Sequence, residues 1–173
     1  MEPSSHIIGS PIGDLAVEFS SRGLRSLSLI RDNRNRDDLH GLDDRECSDE
    51  LSAVKTYISD HFFCRDPGRS GIDLDMEDMS CFRREVYEEL MKVRFGELVT
   101  YGELAKRVGR PGSARAVGQM MNRNPFLIIV PCHRVMAQDR KGGYSLGGFG
   151  AGINVKRVLL RMEGHEGSEI QGL

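Results

Sequence analysis

The sequence predicts a mixed α/β fold of the α+β type in two parts. A small N-terminal α/β unit with an antiparallel sheet is expected over residues 1–77, and a mostly helical C-terminal domain over residues 78–173. Three observations predict this division. Short apolar runs separated by turns fill the first thirty residues, capped amphipathic segments follow Ser80, and the charge changes sign between the two parts.

The beginning of the chain has the pattern of a small antiparallel meander. The apolar runs Ile7-Ile8, Leu15–Phe19 and Leu24–Ile30 are separated by turn residues that include Gly13 and Gly23. Glycine is the residue that most readily adopts the backbone angles of a tight turn. We therefore expect three short strands that pair in sequence order.

The remainder of the N-terminal unit is predicted as loop, helix and edge strand. Residues 31–46 are charged and aperiodic, which is typical of a solvated loop. Ser48 can cap a helix. Its apolar face would consist of Leu51, Val54, Ile58 and Phe62. Apolar and acidic residues alternate over 72–77, which predicts a short edge strand before a linker near 77–80.

Two short capped helices in the C-terminal part match helix-turn-helix geometry. Ser80 is predicted to cap a first, separate helix, and Thr100 with Glu103 then forms a capping box. The turn over 110–112 leads to Ser113, the expected N-cap of the second helix of the pair. That second helix would be the recognition helix. A plain helical hairpin, with small residues for tight packing, is the open alternative.

The net charge of −2 conceals a strong division along the chain. Residues 1–80 carry 9 Lys and Arg against 17 Asp and Glu, a charge of −8. Residues 81–165 carry 15 against 7, a charge of +8. A basic half favours contact with nucleic acid, although charge also fluctuates along chains without any function.

Several classes of protein fit this composition poorly. The four cysteines (Cys47, Cys64, Cys81 and Cys132) have no CxxC spacing, which argues against a disulfide framework and a zinc ribbon and suits a reducing cytoplasm. No apolar run reaches the roughly 18 residues of a membrane span, and the N-terminus lacks the pattern of a signal peptide. We expect a cytoplasmic protein without structural zinc or another metal.

The candidate reactive group is a thiol beside an imidazole. The run Phe126–Val130 predicts an apolar strand, and Pro131-Cys132-His133-Arg134-Val135 follows it directly. A cysteine becomes a nucleophile as the thiolate, which a nearby base or cation makes available at neutral pH. Neighbouring residues of a strand point to opposite faces, so cooperation of the two groups requires a turn, which Pro131 favours. An inert buried cysteine is the alternative.

The order of motifs closely resembles the O6-alkylguanine-DNA alkyltransferase family over residues 80–164. The motifs are the helix-turn-helix, Asn124-Pro125, the Pro-Cys-His-Arg-Val run, the glycine-rich loop over 142–152 and a helix that ends at Glu163. The resemblance implies a ribonuclease-H-like N-terminal domain. It also implies irreversible, self-inactivating transfer of an alkyl group from O6 of guanine, or O4 of thymine, in DNA to the cysteine. No cofactor is implied.

The resemblance assigns chemical roles to five residues. Cys132 would accept the alkyl group, and His133 would take the thiol proton through a water molecule. Glu163 would orient that histidine, in the manner of a catalytic triad. Asn124 would tie the exit of the recognition helix to the active-site turn, and Tyr101 would donate a hydrogen bond to N3 of the departing purine.

The resemblance also implies contacts with substrate and DNA. Chemistry on a base within a duplex requires that the base be flipped out, and Arg115 would fill the space that it leaves. The substrate contacts would come from Val135, Tyr144, Ser145, Lys156 and Met121. The helix would lie in the minor groove. The residues expected to contact DNA there, besides Arg115, are Ser113, Ala114, Gly118 and Arg123. The expected partner is double-stranded DNA that contains O6-alkylguanine, bound by a monomer that could act cooperatively.

Two departures from the family and two rival functions remain open. Leu127 stands where the family often has a second proline, which leaves the range of accepted alkyl groups undefined. The glycine-rich stretch is also longer than in the vertebrate form. A recognition module that flips the base without transfer is one rival, although such relatives lack the acceptor cysteine. A Cys-His hydrolase is the other, and it would leave the arginine-rich helix pair without a role.

Overall fold

The protein, described by a computed structural model, has the predicted mixed α/β fold. Residues 4–31, 48–68, 71–139, 142–167 and 170–173 are described. The chain divides into two compact units: Met1–Glu77 with Pro125–Leu127, and Asp78–Asn124 with Ile128–Leu173. The loop predicted over 31–46, except for Arg31, lies outside the described residues, as does Cys47.

The predicted meander is confirmed in the first unit. Strands β1 (Ser4–Ile8), β2 (Leu15–Ser20) and β3 (Gly23–Leu29) form an antiparallel sheet in the order β1-β2-β3. The turn between β2 and β3 requires glycine at position 23. Its φ of 125° disfavours other residues, and a Cβ there would overlap the backbone carbonyl of Asp73.

Helix α1 (Asp49–Phe62) completes the first unit, and Ser48 caps it as predicted through its hydroxyl, 3.2 Å from the Leu51 amide. The edge strand expected over 72–77 is wrong. Leu74 makes only an isolated parallel bridge to Leu24. Two backbone hydrogen bonds of 2.8 Å form this bridge, and the chain then turns, so the ladder ends before a strand develops.

The second unit contains the predicted helices. Helix α2 (Cys81–Leu90) begins after Ser80, and α3 (Tyr101–Arg107) begins with the Thr100–Glu103 capping box. Helix α4 (Ala114–Asn122) follows the turn, and α5 (Ile153–Met162) lies near the end of the chain. Ser113 occupies the N-cap position of α4 without a side-chain cap bond, because its near-helical backbone (φ −86°, ψ 16°) directs the hydroxyl elsewhere.

A second sheet, which the sequence analysis did not predict, lies among these helices. Its strands are β4 (Val99–Thr100), β5 (Val135–Gln138), β6 (Tyr144–Ser145) and β7 (Ile170–Gln171), paired in that order. The β4–β5 and β6–β7 pairs are parallel and β5–β6 is antiparallel. Strand β5 begins at Val135, the last residue of the Pro131–Val135 run, and therefore fixes where the turn that carries Cys132 ends.

The apolar strand predicted over Phe126–Val130 is wrong, because this run forms a buried turn. Only Phe126 makes a bridge, to Leu27 within the first unit. Ile128 has a φ of 71°, which is rare for a β-branched residue and incompatible with an extended chain. A short, fully buried turn and a buried strand have the same apolar composition, so the periodicity could not distinguish them.

None of the helices in the described parts of the chain is both long enough and apolar enough to span a bilayer.

Candidate active site

Cys132 lies on a tight turn that buries its side chain. Cys132–Arg134 form a single turn of 3-10 helix between Pro131 and strand β5, and Cys132 is only 3% exposed. Burial raises the pKa of the Cys132 thiol to about 11, although hydrogen bonding from Asn124 and the positive charge of Lys156 oppose the rise. At neutral pH the resting sulfur is therefore a thiol, and its reaction as a nucleophile requires a group that takes the proton.

Asn124 contacts the sulfur directly. Its side-chain amide nitrogen lies 3.1 Å from Cys132 Sγ and 2.8 Å from the carbonyl oxygen of Val130. The amide carries two hydrogens, so it can donate to both acceptors at once. One side chain at the end of α4 thus holds the turn that precedes the cysteine and also supplies a donor that stabilises a developing thiolate.

His133 and Glu163 form a buried pair. The His133 Nε2 atom lies 2.8 Å from Glu163 Oε1, and neither side chain is exposed to solvent. A carboxylate can only accept, so Nε2 carries the hydrogen and Nδ1 is the ring atom with a lone pair. Burial lowers the pKa of His133 against the opposing effect of Glu163, with further lowering from Arg134 and Lys156. The imidazole is therefore neutral at pH 7 and able to accept a proton.

Arg134 completes the surroundings of Glu163, a role that the sequence analysis did not assign. Its Nε and Nη2 atoms lie 3.0 and 2.8 Å from Glu163 Oε1, and its Nη1 donates to the carbonyl of Val93 at 2.7 Å. The Gly96 amide donates to Glu163 Oε2 at 3.2 Å. Burial alone would raise the pKa of Glu163, but His133 and Arg134 together hold it well below the ordinary range. Glu163 is thus ionised throughout the neutral range.

Lys156 is a fully buried cation in this region. Its Nζ donates to the carbonyl oxygens of Val135 and Leu146, at 2.6 and 2.5 Å. Burial lowers the pKa of Lys156 to about 8, which still leaves it protonated at pH 7. The ammonium group joins the start of β5 to the residue after β6 and places a positive charge near Cys132.

Tyr101 lies at the start of α3, against the glycine-rich loop. Its hydroxyl is 3.4 Å from the carbonyl of Gly148, and a Cβ at Gly147 would lie 3.3 Å from the same hydroxyl. Burial raises the pKa of Tyr101, and the nearby Cys132 adds to the rise. The phenol therefore keeps its proton and can serve as a hydrogen-bond donor near the cysteine.

The remaining predicted residues lie on helix α4 or at its two cap positions, and they differ in exposure. Arg115 and Arg123 are exposed, whereas Met121 is 4% exposed and forms part of the core. Ser113, Ala114 and Gly118 are half-buried. At Gly118 a Cβ would lie 3.8 Å from the Tyr101 ring, so this small residue also permits α3 and α4 to pack closely.

Three predicted substrate residues, Tyr144, Ser145 and Val135, lie in the second sheet. Tyr144 and Ser145 form β6, where they pair with Gln138 and Ala137 of β5. The Tyr144 ring packs against a buried cluster. The members of that cluster are Met136, Leu146, Leu160 and Ile170. Tyr144 is thus half-buried against the core, while Val135, the first residue of β5, offers its carbonyl to Lys156.

Known proteins of one family resemble this chain in sequence. The family model for the 6-O-methylguanine DNA methyltransferase DNA-binding domain matches residues 81–165. A methylated-DNA–protein-cysteine methyltransferase of Mycobacterium tuberculosis is 34% identical over 160 residues, which cover 90% of this chain and 89% of the relative. Another from Methanosarcina mazei is 36% identical over 164 residues, which cover 91% of this chain and 95% of the relative.

Solved structures resemble the fold over nearly its whole length. The crystal structure of the M. tuberculosis O6-methylguanine methyltransferase has a TM-score of 0.74 at 32% identity, with 93% of this chain and 92% of that chain covered. The structure of the M. tuberculosis OGT protein in complex with DNA has a TM-score of 0.72 at 31% identity and covers 92% of each chain.

A buried cysteine on a tight turn, with a histidine–carboxylate pair beside it and a helix-turn-helix before it, defines the class of cysteine alkyl acceptors that bind DNA. The chain belongs to the methylated-DNA–protein-cysteine methyltransferase family. The resemblance inferred from the sequence motifs is thereby confirmed.

Proposed function

We propose that this chain repairs alkylated DNA by transfer of an alkyl group, a methyl group in the simplest case, from O6 of guanine to the sulfur of Cys132. The proposal also includes removal of an alkyl group from O4 of thymine. The observation that carries it is the 2.8 Å contact between His133 Nε2, on the turn that holds the buried Cys132 thiol, and Glu163 Oε1 at the end of α5. The names of the relatives and the DNA complex of the M. tuberculosis protein support it.

The reaction follows from the protonation states of the site. Neutral His133 takes the thiol proton of Cys132 through a water molecule, and Glu163 stabilises the resulting imidazolium. The sulfur then attacks the alkyl carbon, and a carbon–sulfur bond forms as the bond to O6 breaks. The electron pair stays on the purine, where the Tyr101 hydroxyl donates towards N3. Return of the proton gives guanine.

The product of this reaction is a thioether at Cys132. A thioether is neither a nucleophile of thiolate strength nor a group that water displaces readily. Each protein molecule therefore repairs one lesion and is then spent, and no cofactor takes part in the proposal.

Access to Cys132 requires that the base leave the duplex. Cys132 is 3% exposed, and the O6 atom of a stacked guanine cannot reach a buried side chain. Flipping of a base costs a few kcal/mol, and the exposed Arg115 on α4 is suited to fill the gap. Docking of α4 in the minor groove, whose base pattern is degenerate, suits a protein that must act at any sequence.

The proposal is tested by the stoichiometry of repair. A duplex with one O6-methylguanine is incubated in excess with the wild type and with the Cys132→Ser variant, and the nucleosides are separated and counted. We expect one guanine restored per wild-type molecule. We expect binding without repair by the variant. Repair by Cys132→Ser, or many turnovers per wild-type molecule, would contradict the proposal.

A further inference from the structure

Side chains of α2 hold the C-terminal end of α4. The last carbonyls of any helix lack partners within the helix and must find them elsewhere. At α4 the Tyr87 hydroxyl donates to the carbonyl of Met120 at 3.0 Å, and Arg83 Nη2 donates to the carbonyl of Arg123 at 2.5 Å. A cation at this end of a helix also interacts favourably with the helix dipole.

Arg83 and Tyr87 are themselves joined as one unit, which we term the α2 clamp. Arg83 Nε donates to the Tyr87 hydroxyl at 2.9 Å, and the guanidinium carbon lies 5.2 Å from the centre of the Tyr87 ring. Residues four apart on a helix lie on the same face, so the pair forms without distortion. Tyr87 is fully buried, and burial raises its pKa, so the phenol remains a donor.

The α2 clamp acts on the residue that contacts the cysteine. The carbonyl of Arg123 and the amide N–H of Asn124 belong to the same planar peptide group. Arg83 donates to the oxygen of this peptide group, and the Asn124 N–H donates to the carbonyl of Met121 at 3.3 Å. Hydrogen bonds at both ends of this peptide group hold its plane, and with it the N–Cα bond of Asn124 from which the side chain extends. The Asn124 side chain then reaches the Val130 carbonyl and Cys132 Sγ.

We propose that Arg83 and Tyr87 are positioning residues that hold the end of the recognition helix and thereby direct the Asn124 amide onto the sulfur of Cys132. The inference rests on the proposed function, because it takes Cys132 as the alkyl acceptor. It goes beyond that function by extending the active site through α2, a helix without any atom in the reaction. The DNA-binding helix and the reactive turn then keep one relative geometry.

The test is a double-mutant cycle between the α2 clamp and Asn124. The rate constant of methyl transfer from an O6-methylguanine duplex is measured for the wild type, Tyr87→Phe, Asn124→Ala and the double variant. Tyr87→Phe removes one hydroxyl and keeps the ring. We expect it to slow transfer about three- to tenfold, the size of one neutral hydrogen bond. In the Asn124→Ala background Tyr87→Phe should leave the transfer rate almost unchanged, because the amide that the α2 clamp positions is absent.

A second measurement separates positioning from general loss of structure. The side-chain amide of Asn124 gives its own NMR signals, whose hydrogen exchange should quicken in Tyr87→Phe and in Arg83→Gln. Two matched controls should leave both the rate and this exchange unchanged. Tyr57→Phe removes a hydroxyl in the first unit, and Arg84→Gln removes a neighbouring guanidinium that donates to Met79.

The results distinguish the inference from the proposed function. Failure of the wild type to accept a methyl group would refute the proposed function, whatever the variants do. If the wild type reacts but Tyr87→Phe slows transfer equally in both backgrounds, or leaves Asn124 exchange unchanged, the α2 clamp does not position Asn124. Arg83→Gln gives the same decision should Tyr87→Phe prove unstable.

Discussion

Removal of the negative charge of Glu163 is the most informative perturbation of the buried cluster. Glu163→Gln keeps the size and shape of the side chain. The Oε2 atom accepts hydrogens from Arg134 Nε at 3.0 Å and from the Gly96 amide at 3.2 Å. An amide NH2 at that position would oppose two donors, while an amide oxygen at the Oε1 position could still accept from His133. The variant therefore leaves Arg134, whose side chain is 5% exposed, as a buried cation without its counter-charge.

The expected loss of stability follows from that unpaired charge. Removal of one partner from a buried ion pair costs about 3–5 kcal/mol. In a domain of this size each kcal/mol shifts the midpoint of thermal unfolding by about 2–4 °C, so we expect a decrease of about 6–20 °C. Urea titration and calorimetry would measure it. Glu166→Gln, at an exposed position, is the matched control and should change the free energy of unfolding by less than about 0.5 kcal/mol.

The pH dependence of this loss provides a check on its cause. The folded-state pKa of Glu163 lies below the ordinary value of 4.5, so between these two values the unfolded chain binds more protons. The stabilisation from the charge is then fully present above about pH 4.5 and is lost as the pH falls further. The difference in the free energy of unfolding between the wild type and Glu163→Gln should therefore become smaller below about pH 4.5. A loss below about 1 kcal/mol at pH 7 would refute the reasoning, as would a difference that grows as the pH falls.

Three further predictions concern the reaction and the loop. The pKa of His133 is lowered below 6.5, so the rate of methyl transfer should be level from pH 7 to 8 and fall only below about pH 6.5. A rate that rises tenfold per pH unit above pH 7 would exclude His133 as the base. Methylation of Cys132 should overpack its turn and lower the free energy of unfolding by about 1–3 kcal/mol. An unchanged or raised melting temperature of the reacted protein would contradict this expectation. Gly150→Ala places a Cβ against the backbone carbonyl of Asn122 and should lower both stability and transfer rate, whereas Gly148→Ala, with open space around it, should match the wild type in the same assays.

The helices were predictable because their signals are local. Ser48, Ser80 and Thr100 each accept a hydrogen bond from the helix that they precede, and the Glu103 side chain accepts one from the Thr100 amide in return. Such caps depend on residues within one turn. The second sheet was not predictable for the opposite reason. Strands β4, β6 and β7 contain two residues each, too few for any periodicity, and only their distant partners define them.

The active-site turn shows the limit of apolar patterns. Five buried residues in a row indicate a buried segment, which is correct, but they do not determine its backbone. The left-handed Ile128 is held by its surroundings and not by its own preference, since a β-branched residue disfavours that conformation. The turn that Pro131 suggested does occur, and it places Cys132 and His133 on one turn of 3-10 helix.

The site was predictable where a motif of the family supplied the residue. Cys132, His133, Asn124 and Glu163 were named from the resemblance, and the structure brings Asn124 to the sulfur and Glu163 to the imidazole. The contacts of Arg134 and Tyr87 were not predicted. Their partners lie 29 and 33 positions away, so only the packing of the second unit brings them together.

The central claim, transfer of the alkyl group to Cys132, is tested most directly by mapping the modified residue. The protein is mixed with a duplex that contains O6-methylguanine, digested, and analysed by tandem mass spectrometry, with undamaged duplex as control. We predict that the peptide containing Cys132 gains the mass of one methyl group in place of a hydrogen, with fragment ions that assign it to the sulfur. An unmodified Cys132 peptide after repair of the duplex, or a methyl group on Cys64 or Cys81 instead, would contradict the account.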